Sequence, residues 1–182
     1  MIEINIDQAN YIQDILTRFP DQAKKATYRA INRTTDATKT EISRQVRAKY
    51  NVKHKDILNT LRVDKAHTGY LKASITSRGE LIPLSSFSAR QIKSGVSVAV
   101  LKGQRSKING LFLTTLKQPK YEKGATNVFG RVTAKRTPLR GHYGPSIPQM
   151  VGNEEPLEKV EARGQEVLLT RLEHEFNRLL RG

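Results

Sequence analysis

The chain contains no cysteine. That excludes a disulfide scaffold and every thiolate site, whether zinc cluster or nucleophile, and it fits a reducing compartment. No apolar run approaches the roughly 20 residues that cross a bilayer as a helix. The amino terminus, MIEINIDQAN, carries acids where a secretory signal needs basic residues followed by an apolar stretch. The expectation is a soluble protein made in the cytoplasm, without a membrane partner. Aromatic residues are few, six Tyr and five Phe, and they are scattered rather than interleaved with basic residues. A stacking platform for bases of the RNA-recognition type is therefore absent. Acids are scarce as well: 17 Asp and Glu stand against 32 Lys and Arg, a formal net charge of +15. An imbalance of that size favours an acidic partner, either nucleic acid or an oppositely charged protein surface.

Signatures of catalysis are missing too. The four histidines, His54, His67, His142 and His174, show no metal-type spacing and no accompanying carboxylate pair. The chain has no G-x-S-x-G elbow, and KGQRSKING is too poor in glycine and lacks the G-K-[ST] ending of a phosphate loop. His142, between Gly141 and Gly144, reads as a surface residue of a turn. With no catalytic constellation, the sequence argues against an enzyme, and no cofactor or metal is expected. Residues 48–63 fit a helix-turn-helix outline poorly, because KYNVKHKD has no glycine at the turn and the preceding helix is too long. Any contact with DNA is expected to be electrostatic and blind to sequence.

What is present is unevenly placed. From Arg90 to Arg140 there are twelve basic residues, Arg90, Lys93, Lys102, Arg105, Lys107, Lys117, Lys120, Lys123, Arg131, Lys135, Arg136 and Arg140, against a single acid, Glu122. These are the candidate contacts to an acidic partner or to DNA. The same pattern also describes a solvated face that keeps a protein from sticking to itself.

At 182 residues the chain is long enough for one domain with a real core. Its fold class reads as α+β: a small antiparallel β-barrel or curled sheet of about five strands, flanked by a long amino-terminal helix and a carboxy-terminal helix. One domain, 1–182, then divides into a helical part (1–62), a β-rich basic part with a proline-rich strap (63–151) and the closing helix (152–182). Asp7 is a fitting N-cap for a first helix carrying Tyr11, Ile12, Ile15, Leu16 and Phe19. Pro20 suits the first turn of the next helix, and no Gly or Pro follows from Asp21 to Tyr50. The less polar stripe of that helix runs through Ala23, Ala26 or Thr27, Ala30, Thr34, Ala37 or Thr38, Ile42, Val46 and Tyr50. So thin a stripe predicts packing against a sheet or a neighbouring subunit.

Period-two patterns predict strands at YLKASITSR, GELIPL, GVSVAVL, GLFLTTL and NVFGRVTA. Pro83 confines the second to an edge. KGQRSKING and KQPKYEKGA read as mobile basic loops. The closing helix, from about Pro156 to Arg181, carries Leu157, Val160, Gly164, Leu168, Leu172, Phe176 and Leu179. The segment RGHYGPSIPQM holds Pro145 and Pro148, which bars a helix interior or a central strand, yet it also carries the apolar Tyr143, Ile147 and Met150. It reads either as a latch between subunits or as a strap pinned to its own barrel.

Several blocks in fixed order carry a resemblance. Ala30, Ile31, Asn32 and Arg33 lie on the long helix; Val52 and Lys55 follow in a basic helical piece; Arg78, Gly79, Leu81, Pro83 and Leu84 come after a strand; INGLFLTTL and YGPSIPQM follow later. From about Thr27 to Val151 the chain resembles the minor tail protein Z family of tailed phages and prophages. The resemblance implies a structural virion protein of the tail or neck, assembled in the host cytoplasm. It implies a role in tail completion and head–tail joining at the head-proximal end, in a ring around the DNA channel. The implied partners are copies of itself, the tail terminator, tail tube or neck proteins, and DNA in the channel bound non-specifically. Candidate subunit-interface residues are Ala30, Ala37, Ile42, Tyr143, Pro145, Ile147, Pro148 and Met150. The alternative is a sequence-independent nucleic-acid-binding protein that uses the basic 90–140 loops.

Overall fold

With no Gly or Pro to interrupt it, one helix, α1 (Pro20–Lys49), runs for 30 residues. Pro20 sits at its start, where a missing N–H costs nothing. Asp21 in its first turn and Arg47 and Lys49 in its last complement the helix dipole. The computed structural model describes residue 17, residues 20–118 and residues 121–181. The expected first helix, with Asp7, Tyr11, Ile12, Ile15, Leu16 and Phe19, falls on residues outside these. The described elements form two compact units. The first comprises the described parts of Met1–Gln45, Leu61–Ser77 and Asn153–Gly182; the second comprises Val46–Thr60 and Arg78–Gly152.

In the first unit, Ala23, Ala26 and Ala30 of α1 are buried with Leu168, Leu172 and Phe176 of the last helix, α4 (Glu154–Arg181), and Ile31 and Leu179 flank them. Small residues on one helix accept large ones from the other. Each large side chain contributes about 1.5–3 kcal/mol by leaving water. The amino-terminal part of the stripe, Ala23, Ala26 and Ala30, thus packs on the chain's own carboxy-terminal helix, because α4 supplies the bulk that these alanines lack. Beside the helices, β1 (Leu61–Asp64) and β2 (Ser74–Ser77) form a two-stranded antiparallel ladder.

The second unit opens with α2 (His54–Thr60) and then turns to strands: β3 (Leu81–Pro83), β4 (Arg90–Ile92), β5 (Gly95–Val98), β6 (Ser106–Asn109), β7 (Leu111–Gln118), β8 (Tyr121–Arg131) and β9 (Leu139–Ser146), ending in the short helix α3 (Ile147–Val151). They make a three-stranded sheet, order β4-β5-β6, and a four-stranded sheet, order β3-β9-β8-β7, both antiparallel. The α+β class stands, but no barrel closes, and the described residues hold nine strands in three sheets rather than about five in one. The physical reason is visible at the outer edge of β7. There the Leu113 N–H donates to Gln91 Oε1 (2.7 Å) and the Gly110 N–H to the Ser94 carbonyl (3.0 Å). One side chain and one turn meet that edge, and strands of three or four residues cannot extend the ladder across it.

Two basic segments expected as mobile loops contribute to strands. Ser106–Asn109 of KGQRSKING pairs with β5, and KQPKYEKGA runs into the β7–β8 hairpin, whose last described pair is Gln118–Tyr121. The segment RGHYGPSIPQM departs furthest from expectation. Most of it is β9, which lies inside the four-stranded sheet despite Pro145. The strand shares its two neighbours in sequence. Residues 139–142 pair with β8, whereas Tyr143, Gly144 and Ser146 pair with β3 across a register shift that skips Pro145. Pro145 therefore occupies the bulge, where no ladder bond is asked of it. Pro148 sits in the first turn of α3, behind a capping box in which Ser146 and Gln149 exchange bonds. Gly144 is required by packing: a Cβ there would lie 2.6 Å from the ring of Phe87, which is wholly buried. His142 lies on β9, half-buried, and not in a turn.

Candidate functional site

The block Ala30–Arg33 is a four-residue bracket within the first unit. Ala30 is buried against α4, and Ile31 packs at the edge of the same cluster. Asn32 faces the β1–β2 connection, where its Nδ2 donates to the Ala66 carbonyl (2.9 Å) and its Oδ1 accepts from the Ala66 N–H (2.8 Å). An amide is the side chain that satisfies both groups of one peptide residue at once. One turn further on, Asp36 pairs with Lys65 at 3.0 Å. Arg33 turns to α4, placing Nη1 2.9 Å from Oε1 of Glu175, a carboxylate only 2% exposed. The approach is too oblique for a well-formed hydrogen bond, so Oε1 is left with charge attraction alone. A carboxylate so deeply buried has to be paired, and this one leans on Arg33. The sequence held a signal that went unread. Glu175 falls on the same helical stripe as Leu168, Leu172 and Phe176, where an acid is out of place.

The basic residues of 90–140 do not form one patch. Arg90, Ser97 and Lys107 are paired directly across β4, β5 and β6, so their side chains share one face of that sheet. Arg105 joins them in a structural role. Its Nε donates to Ser97 Oγ (3.2 Å), and its Nη2 donates to the carbonyl of Ser88 (2.6 Å). Ser88 has a φ of 51°, an uncommon conformation for a residue with a side chain, and its Oγ accepts from Asn51 Nδ2 (2.9 Å). Arg105 therefore braces the chain around Ser88, and most of its donor capacity is engaged.

Arg131, Lys135, Arg136 and Arg140 are exposed around the β8–β9 connection, with Arg140 opposite Gly130 and Arg131 opposite Leu139. Lys117 and Lys123 lie on the backbone of β7 and β8 near the β7–β8 hairpin at the other end of β8, and Lys120 is outside the described residues. The 11 residues of β8 separate the two ends by roughly 30–35 Å at about 3.3 Å per residue. That is several Debye lengths at physiological salt, so the two ends act as independent charges. Lys93 and Lys102 stand exposed in turns. Among the described residues, no ion pair engages Arg90, Lys93, Lys102, Lys107, Arg131, Lys135, Arg136 or Arg140. What they offer chemically is attraction to phosphate or carboxylate from several separate surfaces.

Of the residues singled out for subunit contact, Ala30, Ile42, Ile147 and Met150 are buried in their own chain, at 0%, 5%, 2% and 0% exposure. Their burial is accounted for without a neighbour. Ala37, Pro145 and Pro148 are intermediate, and Tyr143 stands out at 54% exposed. Among the described residues, no group of three or more His, Asp or Glu is placed to hold a metal, and no helix is long and apolar enough to cross a membrane.

Neither a curated protein nor a solved structure matches the chain. A family model does, over residues 10–182, and its description is prophage minor tail protein Z (GPZ). That match spans nearly the whole chain, including the Ala30–Arg33 bracket, the basic surfaces and the proline-bearing β9, and the chain belongs to the prophage minor tail protein Z family.

Proposed function

We propose that this minor tail protein completes the tail at its head-proximal end, assembling with copies of itself into a ring around the DNA channel and helping to join head to tail. Its neighbours in that position are the tail terminator, tail tube or neck proteins. The observation that carries the reading is the arrangement of its charge. Unpaired cations stand outward on separate strands and turns of the second unit instead of converging on a pocket, as suits a protein that touches several acidic surfaces at once. A structural role of this kind needs no catalytic groups. The test is localisation: tails assembled with an epitope-tagged chain are labelled by antibody and imaged by electron microscopy. Label at the head-proximal end alone is the expected result, whereas label along the tube or at the distal tip contradicts the placement.

A second reading rests on the Arg90–Lys107 row and the β8–β9 group, which offer phosphate-binding surfaces of their own. In that reading the chain is a sequence-independent nucleic-acid-binding protein. Its affinity for DNA then falls steeply with salt and is unchanged by base sequence. Equal affinity for DNA and for an acidic tail partner at one salt concentration is the outcome that removes DNA as the preferred ligand.

A further inference from the structure

A groove of about 290 Å³ lies between α1 and α4 in the first unit, and none of the basic residues of 90–140 lines it. Gln22, Lys25, Ala26 and Arg29 line it from α1, and Glu175, Arg178 and Leu179 from α4. Its floor is apolar at Ala26 and Leu179, and its rim is cationic at Lys25, Arg29 and Arg178, all exposed. Glu175 is already committed to Arg33. Among the described residues, none of the three rim cations has an ion-pair partner. An apolar floor suits a polyanion such as DNA poorly, because phosphates gain nothing from Ala26 or Leu179. It suits an acidic amphipathic segment, which brings carboxylates to the rim and aliphatic side chains to the floor.

The chain carries such a segment. Residues 1–19 hold Glu3, Asp7 and Asp14 against the single base Arg18, in a protein whose net charge is +15. At helical spacing, Asp7 and Asp14 share a stripe with Tyr11, and Ile12, Ile15, Leu16 and Phe19 form the stripe beside it. The segment ends at Pro20, where α1 begins, and the groove starts two residues later at Gln22. Because the segment runs directly into Pro20 and the groove begins at Gln22 on the same helix, reaching the groove of its own chain would require the segment to reverse direction immediately before α1. We infer that the groove receives the amino-terminal segment of a second copy of the chain. Such a contact is head-to-tail, each copy giving a segment and offering a groove, which is the arrangement that generates rings. The inference rests on the ring reading above and supplies its joint.

The experiment uses full-length chains with charge reversals, followed by mass in solution at low salt. One variant reverses the groove (Arg29→Glu with Arg178→Glu), and another reverses the segment (Asp7→Lys with Asp14→Lys). A third carries all four changes. The expected result is that each double variant alone associates at least tenfold more weakly than the parent. Mixing the two doubles restores assembly, because each reversed groove then meets a reversed segment and each native groove a native one. Circular dichroism and melting temperature unchanged from the parent show that these exposed substitutions leave the fold intact. Restoration in the fourfold variant but not in the mixture overturns the proposal, since the segment then docks within its own chain. A parent oligomer unaffected by either reversal also overturns it while leaving the ring reading in place. A parent that is monomeric at every concentration overturns both.

Discussion

The two units solve the packing problem by different means. In the first, two long helices meet, and side-chain size does the fitting: Ala23, Ala26 and Ala30 make room for Leu168, Leu172 and Phe176. In the second, the fit depends on departures from regular backbone. Pro145 occupies a bulge, Ser88 has a positive φ held by Asn51 and Arg105, and Gly144 has no side chain because Phe87 fills the space. The helical unit therefore tolerates changes that preserve volume, whereas the β unit is sensitive to changes of a single carbon at positions that look unremarkable in sequence.

Substitutions sharpen that contrast. The largest effect is expected from Phe176→Ala, which empties a site 1% exposed and costs about 3–5 kcal/mol. Chemical denaturation gives the magnitude, and amide exchange locates it, with α1 and α4 losing protection before β5 and β8. Gly144→Ala forces a carbon against the buried Phe87 ring and costs about 1–3 kcal/mol. Exchange then rises in β3 and β9 while α4 is unaffected; loss of protection in both units erases the distinction. Asn32→Ala leaves both backbone groups of Ala66 without their partner and costs about 2 kcal/mol in the same denaturation assay. The smallest effect is a gain. Thr34 Oγ1 is buried without a hydrogen-bond partner, so Thr34→Val stabilises the first unit by about 0.5–1 kcal/mol, read as a higher denaturation midpoint.

Legibility from sequence followed the same division. α1 and α4 are readable because 3.6-residue periodicity persists over about eight turns, and their partnership accounts for the alanines at the start of the thin stripe that sequence alone assigned to a sheet or a neighbour. The β unit is readable only where apolar alternation is strong, as in GVSVAVL and GLFLTTL. β6 is hidden because Ser106, Lys107 and Asn109 are polar and only Ile108 marks the inward face. β9 is hidden because the rule against proline in a central strand is right residue by residue but blind to a strand that changes neighbours halfway along. The absence of a closed barrel was not legible, since a side chain and a turn, rather than a strand, meet the edge at the start of β7. Among the candidate site residues, exposure was predictable for most of the basic ones. The structural duty of Arg105 was not, since its acceptors, Ser88 and Ser97, lie up to 17 positions away in sequence.

Arg33 and Glu175 show how a family block can be structural without being a site. Their pairing ties α1 to α4 and leaves Lys25, Arg29 and Arg178 unneutralised on the same surface. Those three, with the exposed cations of the second unit such as Arg90, Lys107 and Arg140, are then available for contacts with other molecules, and the account stands or falls on what those molecules are. The most direct measurement is the mass of the full-length protein in solution, at low and high salt, with and without double-stranded DNA. The account predicts a discrete oligomer of one size without DNA, loosened as salt rises. A monomer at every salt concentration that binds DNA with a steep salt dependence would contradict it.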